Sequence, residues 1–212
     1  HRGLMRRCME LFERNARDKG AFVLFQSPVD FRIYEWCMQY PSSASAIITS
    51  EKARGMRGCR YAEDSPCCEG FAEELLIVYE RIMKGYSGRV VRSTEDMRSV
   101  LRGHTADGGR LVRYIKEGRT RGYALYFDYE GQISNIEFMA EGRAAAGILS
   151  SLGAKGRGKK LSLRGPIGLC SLRLPSCFKA AWADTTAMAA LNVPGLLHEL
   201  AGFDDVTVEV TD

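Results

Sequence analysis

Three runs decide the reading of this chain: Arg110-Leu-Val-Arg-Tyr-Ile115, Tyr123-Ala-Leu-Tyr-Phe-Asp-Tyr129 and Gln132-Ile-Ser-Asn-Ile-Glu-Phe138. Each is short, rich in β-branched and aromatic residues, and separated from the next by a turn, at Gly118 and at Tyr129-Glu-Gly131, which predicts an antiparallel meander. A helix from Gly142 to Leu152 and a strand from Lys160 to Leu163 follow. Upstream, Phe71, Leu75, Val78, Tyr79 and Ile82 recur at helical spacing, with Ser65-Pro66 read as the helix start and Gly85 as its end. A short helix capped by Ser93 leads into the meander. Downstream come a strand from Trp182 to Leu191, a short helix from Pro194 to Ala201 and an alternating strand from Val206 to Val210. The class is α+β, a mixed and mostly antiparallel central sheet flanked by helices.

The stretch before residue 52 has its own order of parts. Leu4, Cys8, Leu11, Phe12 and Ala16 mark one apolar face of a helix ending at Gly20. Ala21-Phe-Val-Leu-Phe25 reads as a buried strand, Ser27-Pro28 as a helix N-terminus with Asp30 near its positive end, and Ala46-Ile-Ile-Thr49 as another strand. Residues 52–68 are rich in Gly, Arg, Cys and Asp without an apolar period, which predicts a linker between two domains.

Bulk properties narrow the function. With 212 residues, 45% of them apolar, one or two globular domains fit. The longest apolar runs are far short of the roughly 20 residues that span a bilayer, so no membrane association is expected. The seven cysteines form no CxxC pair and are odd in number, which predicts reduced thiols in the cytoplasm and no zinc site. His1, His104 and His198 lie in unrelated elements without ligand-spaced partners, so no metal is expected and surface or cap roles are assigned to them. A net charge of +4 is mild. The densest basic stretch, Lys155-Gly-Arg-Gly-Lys-Lys160, has no aromatics to stack bases on and reads as a solvated loop; no nucleic-acid partner is expected. Gly153-Ala-Lys-Gly-Arg-Gly-Lys159 has the spacing of a nucleotide P-loop, but Lys160 replaces the magnesium-holding Ser or Thr and the segment leads from helix to strand, the reverse of the motif.

The opening Arg2-Gly3-Leu4-Met5-Arg6 before a helix, the buried strand Ala21 to Phe25, then Ser27-Pro28 and a helix bearing Phe31-Arg-Ile-Tyr34-Glu resemble the second half of the GNAT acetyltransferase fold. Glu74 to Met83, Gly88-Arg-Val-Val-Arg92, Gly122-Tyr-Ala-Leu-Tyr126, Ile136-Glu137 and Leu191-Asn-Val-Pro-Gly-Leu-Leu197 are similar to the second domain of the enhanced intracellular survival enzymes. The resemblance implies tandem GNAT-like domains, the first incomplete. Residues 1–51 would be the C-terminal half of the catalytic domain, 52–68 the linker, 69–204 a second domain without a CoA motif, and 205–212 the start of a sterol-carrier-like domain.

It further implies acetyl-CoA as co-substrate, held by Arg2, Gly3, Leu4, Arg6 and Ser27, with Tyr34 as the general acid. Met5 stands where the general pattern has Gly or Ala. In the second domain, Glu141-Gly-Arg-Ala-Ala-Ala-Gly147 fails the cofactor pattern, and Glu137 and Glu141 beside that helix start would compete with a phosphate. The expected acceptor is an amine on a small molecule or peptide, such as an aminoglycoside, a polyamine or a lysine. The missing initial Met implies a fragment, and the incomplete first sheet implies a homo-oligomer. The alternative reading is a non-catalytic scaffold or assembly module; a polyanion-binding protein using Lys155 to Lys160 is a third.

Overall fold

The computed structural model describes residues 4–21, 23–26, 42–52, 54–55, 62–84, 86, 90–172, 174 and 176–190. They fall into two compact units, one made of residues 45–183 and the other of residues 1–44 with 184–212.

The larger unit is built on the predicted meander. Strands β4 (Arg110–Lys116), β5 (Arg119–Tyr129) and β6 (Gln132–Met139) pair antiparallel in sequence order. The first turn needs only Glu117 and Gly118, at φ 54° and φ 70°. A two-residue loop with both φ values positive has the twist that antiparallel neighbours share. β5 starts earlier than its apolar run suggests, because a register shift between Tyr114 and Ile115 lets Arg119 and Thr120 pair as well.

β5 is buried without interruption from Gly122 to Tyr126, since helices cover both faces of the sheet. On one face, α2 (Ala72–Met83) and α3 (Thr94–Ala106) bring Leu75, Val78, Ile82, Met97 and Leu101 onto Leu111, Tyr123 and Leu125. On the other, α4 (Gly142–Lys155) sets Ala145, Ile148, Leu149 and Leu152 against Val112, Ala124, Tyr126 and Phe138. The strict alternation along β4 and β5 is what makes two separate cores. α3 starts as predicted: the Ser93 hydroxyl accepts from the Asp96 N–H at 3.1 Å and the Asp96 carboxylate accepts from the Ser93 N–H at 2.7 Å, a capping box.

Four more strands extend the sheet, β2 (Ser42–Ser50), β3 (Glu63–Pro66), β7 (Lys160–Gly165) and β8 (Lys179–Ala190), in the order β8-β2-β7-β6-β5-β4-β3. The β6–β7 pairing is parallel, while β2–β7 and β3–β4 are antiparallel. Three boundaries differ from the sequence reading. Ser65-Pro66 ends a strand and opens no helix: Pro66 sits at the tip of β3, and α2 begins six residues later after a 3-10 turn, Glu69–Phe71. The stretch read as a linker therefore contains this strand. The run Ala46 to Thr49, assigned to the first domain, pairs with β7 and packs Ala46 and Ile48 into the core beneath α4, so it belongs to the larger unit.

In the other unit, α1 (Leu4–Asp18) ends as predicted. Gly20, at φ 77°, donates to Arg17 O at 2.8 Å and Ala21 to Ala16 O at 3.0 Å, a Schellman ending. Strand β1 (Val23–Gln26) pairs antiparallel with Ala187 to Ala190 of β8. The apolar stripe of α1 is on its open side: Leu4 is 71% exposed, Leu11 60% and Phe12 50%. The segments 194–201 and 206–210 lie outside the described residues.

Candidate functional site

Of the residues assigned to the cofactor, Leu4 and Arg6 are described; Arg2, Gly3, Ser27 and the expected acid Tyr34 lie outside the described residues. Leu4 is the first described residue of α1, and no acidic residue stands in the first described turn of that helix. A helix start without carboxylates keeps its positive dipole end and its first N–H groups for an anion. The Arg6 guanidinium lies 3.4 Å from Glu10 one turn on, with both side chains largely exposed. An exposed pair at that spacing contributes about 0.5 kcal/mol or less, so an anion at the helix start can take the guanidinium over.

The resemblance puts the equivalent place in the second domain at the start of α4. Glu141 caps it in extended conformation without a side-chain hydrogen bond, and Gly142 follows at φ 49°. Glu137, expected beside this start, is on the opposite face of the sheet. There Arg92 Nη1 donates to its carboxylate at 2.6 Å, and the buried Tyr123 hydroxyl donates to the other oxygen. The Arg92 guanidinium stacks 4.4 Å from the centre of the Tyr79 ring, whose hydroxyl donates to Val90 O at 2.8 Å. Burial, then the adjacent Glu137 charge, push the Tyr123 hydroxyl well above the ordinary phenol range. This is a structural knot that ties the segment before α3 to β6. Glu141 remains as the one acid lining a cavity of about 340 Å³ beside α4, with Arg81, Lys116, Arg121 and Arg143.

Between Leu125 and Tyr126 the β5–β6 register shifts, leaving Ile136 as an extra residue that is exposed. β6 and β7 pair over only three residues, and beyond them the Asn135 amide takes over, donating to Arg164 O and accepting from Arg164 N, both at 2.7 Å. The bulge re-aims the end of β6. No local sequence signal marks it, because Asn135 reads equally well as an ordinary strand residue.

A second polar cluster lies at the far end of α4. Asp64 accepts from the Tyr126 hydroxyl at 2.8 Å, from Arg110 Nη2 at 2.9 Å and from Lys155. Burial alone would raise the Asp64 carboxyl, but the hydrogen bonds from Arg110, Lys155 and Tyr126 outweigh it and hold the group below the usual carboxylate range. The P-loop-like segment does run from helix to strand, and the Gly153 position is closed by the Arg54 carbonyl, 2.3 Å from where a Cβ would stand.

His104 is not at the surface. It is buried in the last turn of α3, with Nε2 3.0 Å from Arg110 O and its ring edge-on to Phe127. Among the described residues no three His, Cys, Asp or Glu side chains converge as a metal site, and no helix is long and apolar enough to cross a membrane.

No family model and no curated protein matches the chain at the level of sequence. Solved structures do match it in shape. A GCN5-related N-acetyltransferase from Kribbella flavida superposes with a TM-score of 0.66 at 17% identity, over 93% of this chain and 50% of that one. This is the fold of the GCN5-related N-acetyltransferases. A probable N-acyltransferase from Enterococcus faecalis V583 gives 0.65 at 15% identity, over 93% and 53%. Eis1 from Mycobacterium abscessus gives 0.56 at 19% identity, over 93% and 54%. The chain spans about half the length of each of these structures. The acetyltransferase fold is thus common to all three, and at these identities it is the fold alone that is shared.

Proposed function

We propose that the chain is part of an acyl-CoA-dependent N-acyltransferase of the enhanced intracellular survival type, with the acyl-CoA site at the start of α1 in the smaller unit. The observation that carries this is a GCN5-related fold whose helix α1 has no carboxylate in its first described turn and carries the lightly paired Arg6 there. That donor set suits a diphosphate: main-chain N–H groups, a positive dipole end and a guanidinium. Acetyl-CoA, when bound, supplies the thioester. In this reading a neutral acceptor amine attacks the carbonyl carbon, the carbon–sulfur bond breaks, and the Tyr34 hydroxyl gives its proton to the leaving sulfur while the amine proton goes to water. Arg2, Gly3, Leu4 and Ser27 are assigned to the cofactor with Arg6. The acceptor is an amine of a polyamine, an aminoglycoside or a lysine side chain. The larger unit serves as a companion without the cofactor motif, its α4 start capped by Glu141.

Thiol release from acetyl-CoA in the presence of spermidine or kanamycin tests the assignment. Tyr34→Phe should lower kcat by about 10²- to 10⁴-fold while acetyl-CoA binding is kept. Unchanged turnover would remove Tyr34 from the mechanism. A homo-oligomer belongs to the same reading, supported by the open apolar face of Leu4, Leu11 and Phe12 on α1. A monodisperse monomer by light scattering would contradict it.

A further inference from the structure

The basic run from Lys155 to Lys160 is sorted by the fold in a way its composition does not show. Lys155 is held by Asp64, Lys159 by Asp128, and Lys160 lies 3.9 Å from Glu51. Arg157 has no carboxylate partner among the described residues. It lines a cavity of about 710 Å³ formed by the end of β2, the α4–β7 turn and the start of β8, all within the larger unit. Lys52, Arg54 and Lys179 line the same cavity and likewise lack an acidic partner among the described residues. The one carboxylate on its wall among the described residues, Glu51, is 80% exposed at its side chain and is already opposite Lys160.

Four like charges around one hollow repel one another, and that arrangement is sustained when an anion completes it. A second, independent observation points the same way. Ser50 lines the cavity, is 3% exposed, and its hydroxyl oxygen has no hydrogen-bond partner. A buried hydroxyl without a partner is costly, and a ligand oxygen removes that cost. Its neighbours Thr49, Ser176 and Cys177 add short polar side chains.

We propose that this cavity is a binding site for a small soluble compound carrying two or more phosphate groups. Paired guanidinium and ammonium groups match phosphate oxygens in geometry and charge. The volume is that of a small-molecule pocket, larger than one phosphate needs. Among the described residues no aromatic side chain lines it, so the described wall recognises the phosphates and offers no stacking platform for a base. The site is at the C-terminal end of α4, far along that helix from its start, and does not depend on the acyl-CoA assignment.

Calorimetry of the whole chain with inorganic pyrophosphate, at low and at raised salt, tests it. One saturable site is expected, weakening as salt rises. The double variant Lys52→Gln/Arg157→Gln should weaken binding by about tenfold or more, and Ser50→Ala by about threefold, with far-UV circular dichroism unchanged. Lys84→Gln, an exposed cation elsewhere in the same unit, should leave the affinity within about twofold. The proposal is overturned by absence of saturable heat from the folded chain, or by a loss in Lys84→Gln equal to that in the double variant, which would mean diffuse attraction only.

Discussion

A single missing side chain positions α4. A Cβ at Gly122 would stand 2.7 Å from the Ala140 Cβ and 3.1 Å from the Ala144 Cβ, so the helix rests directly on the strand backbone. Gly122→Val should therefore lower stability by about 1–3 kcal/mol, since packed cores cannot absorb added methyls without moving. Gly103 in α3 is the contrasting case: it is exposed and a Cβ there meets nothing within 4 Å. Gly103→Ala should raise stability by about 0.5–1 kcal/mol through helix propensity alone. Urea unfolding of both variants checks the two signs. Asp64 supplies the pH dependence. Its carboxyl is lowered in the folded state, so its contribution is present above the unfolded carboxylate range and is lost as pH falls through that range and below it. Asp64→Asn should lower the urea midpoint at neutral pH and flatten the acid limb; a mutant as acid-sensitive as the parent would refute the assignment.

At the scale of elements, the knot of Arg92, Glu137, Tyr123 and Tyr79 fixes the segment before α3 to β6. Removing one partner leaves a buried carboxylate uncompensated, so Arg92→Met should cost about 3–5 kcal/mol, whereas in a Tyr123→Phe background, which leaves no buried hydroxyl behind, replacing Arg92 and Glu137 together by Met and Leu should cost much less. A double-mutant cycle by urea unfolding measures the difference. The elements also show what could be read beforehand. The meander, α4 and the Ser93 cap were legible because their signals are local: apolar runs, a turn at Gly118, a hydroxyl before a helix. Ser65-Pro66 misled because a cap-like dipeptide also suits an edge strand, and the choice was made by Arg110, Lys155 and Tyr126, each far away in sequence. The membership of β2 was hidden for the same reason, since its partner β7 lies more than a hundred residues on. For the proposed acyl-CoA site, Leu4 and Arg6 rest on resemblance alone, while the proposed phosphate cavity around Arg157 depends on which lysines of one run find acids, a matter of tertiary pairing.

For the whole molecule, the two units are stitched by chain connectivity: β8 begins in the larger unit and its last residues pair with β1 in the other. The smaller unit carries the proposed acyl-CoA site, and the larger one has strands β3 to β7, both cores and the basic cavity. The measurement that tests the central proposal most directly is titration calorimetry of acetyl-CoA with the protein expressed from its complete reading frame. One saturable site is expected, its affinity falling by about tenfold or more in Arg6→Glu and staying within about twofold in Arg157→Gln. Absence of heat from the folded protein would contradict it and leave a non-catalytic scaffold of the same fold.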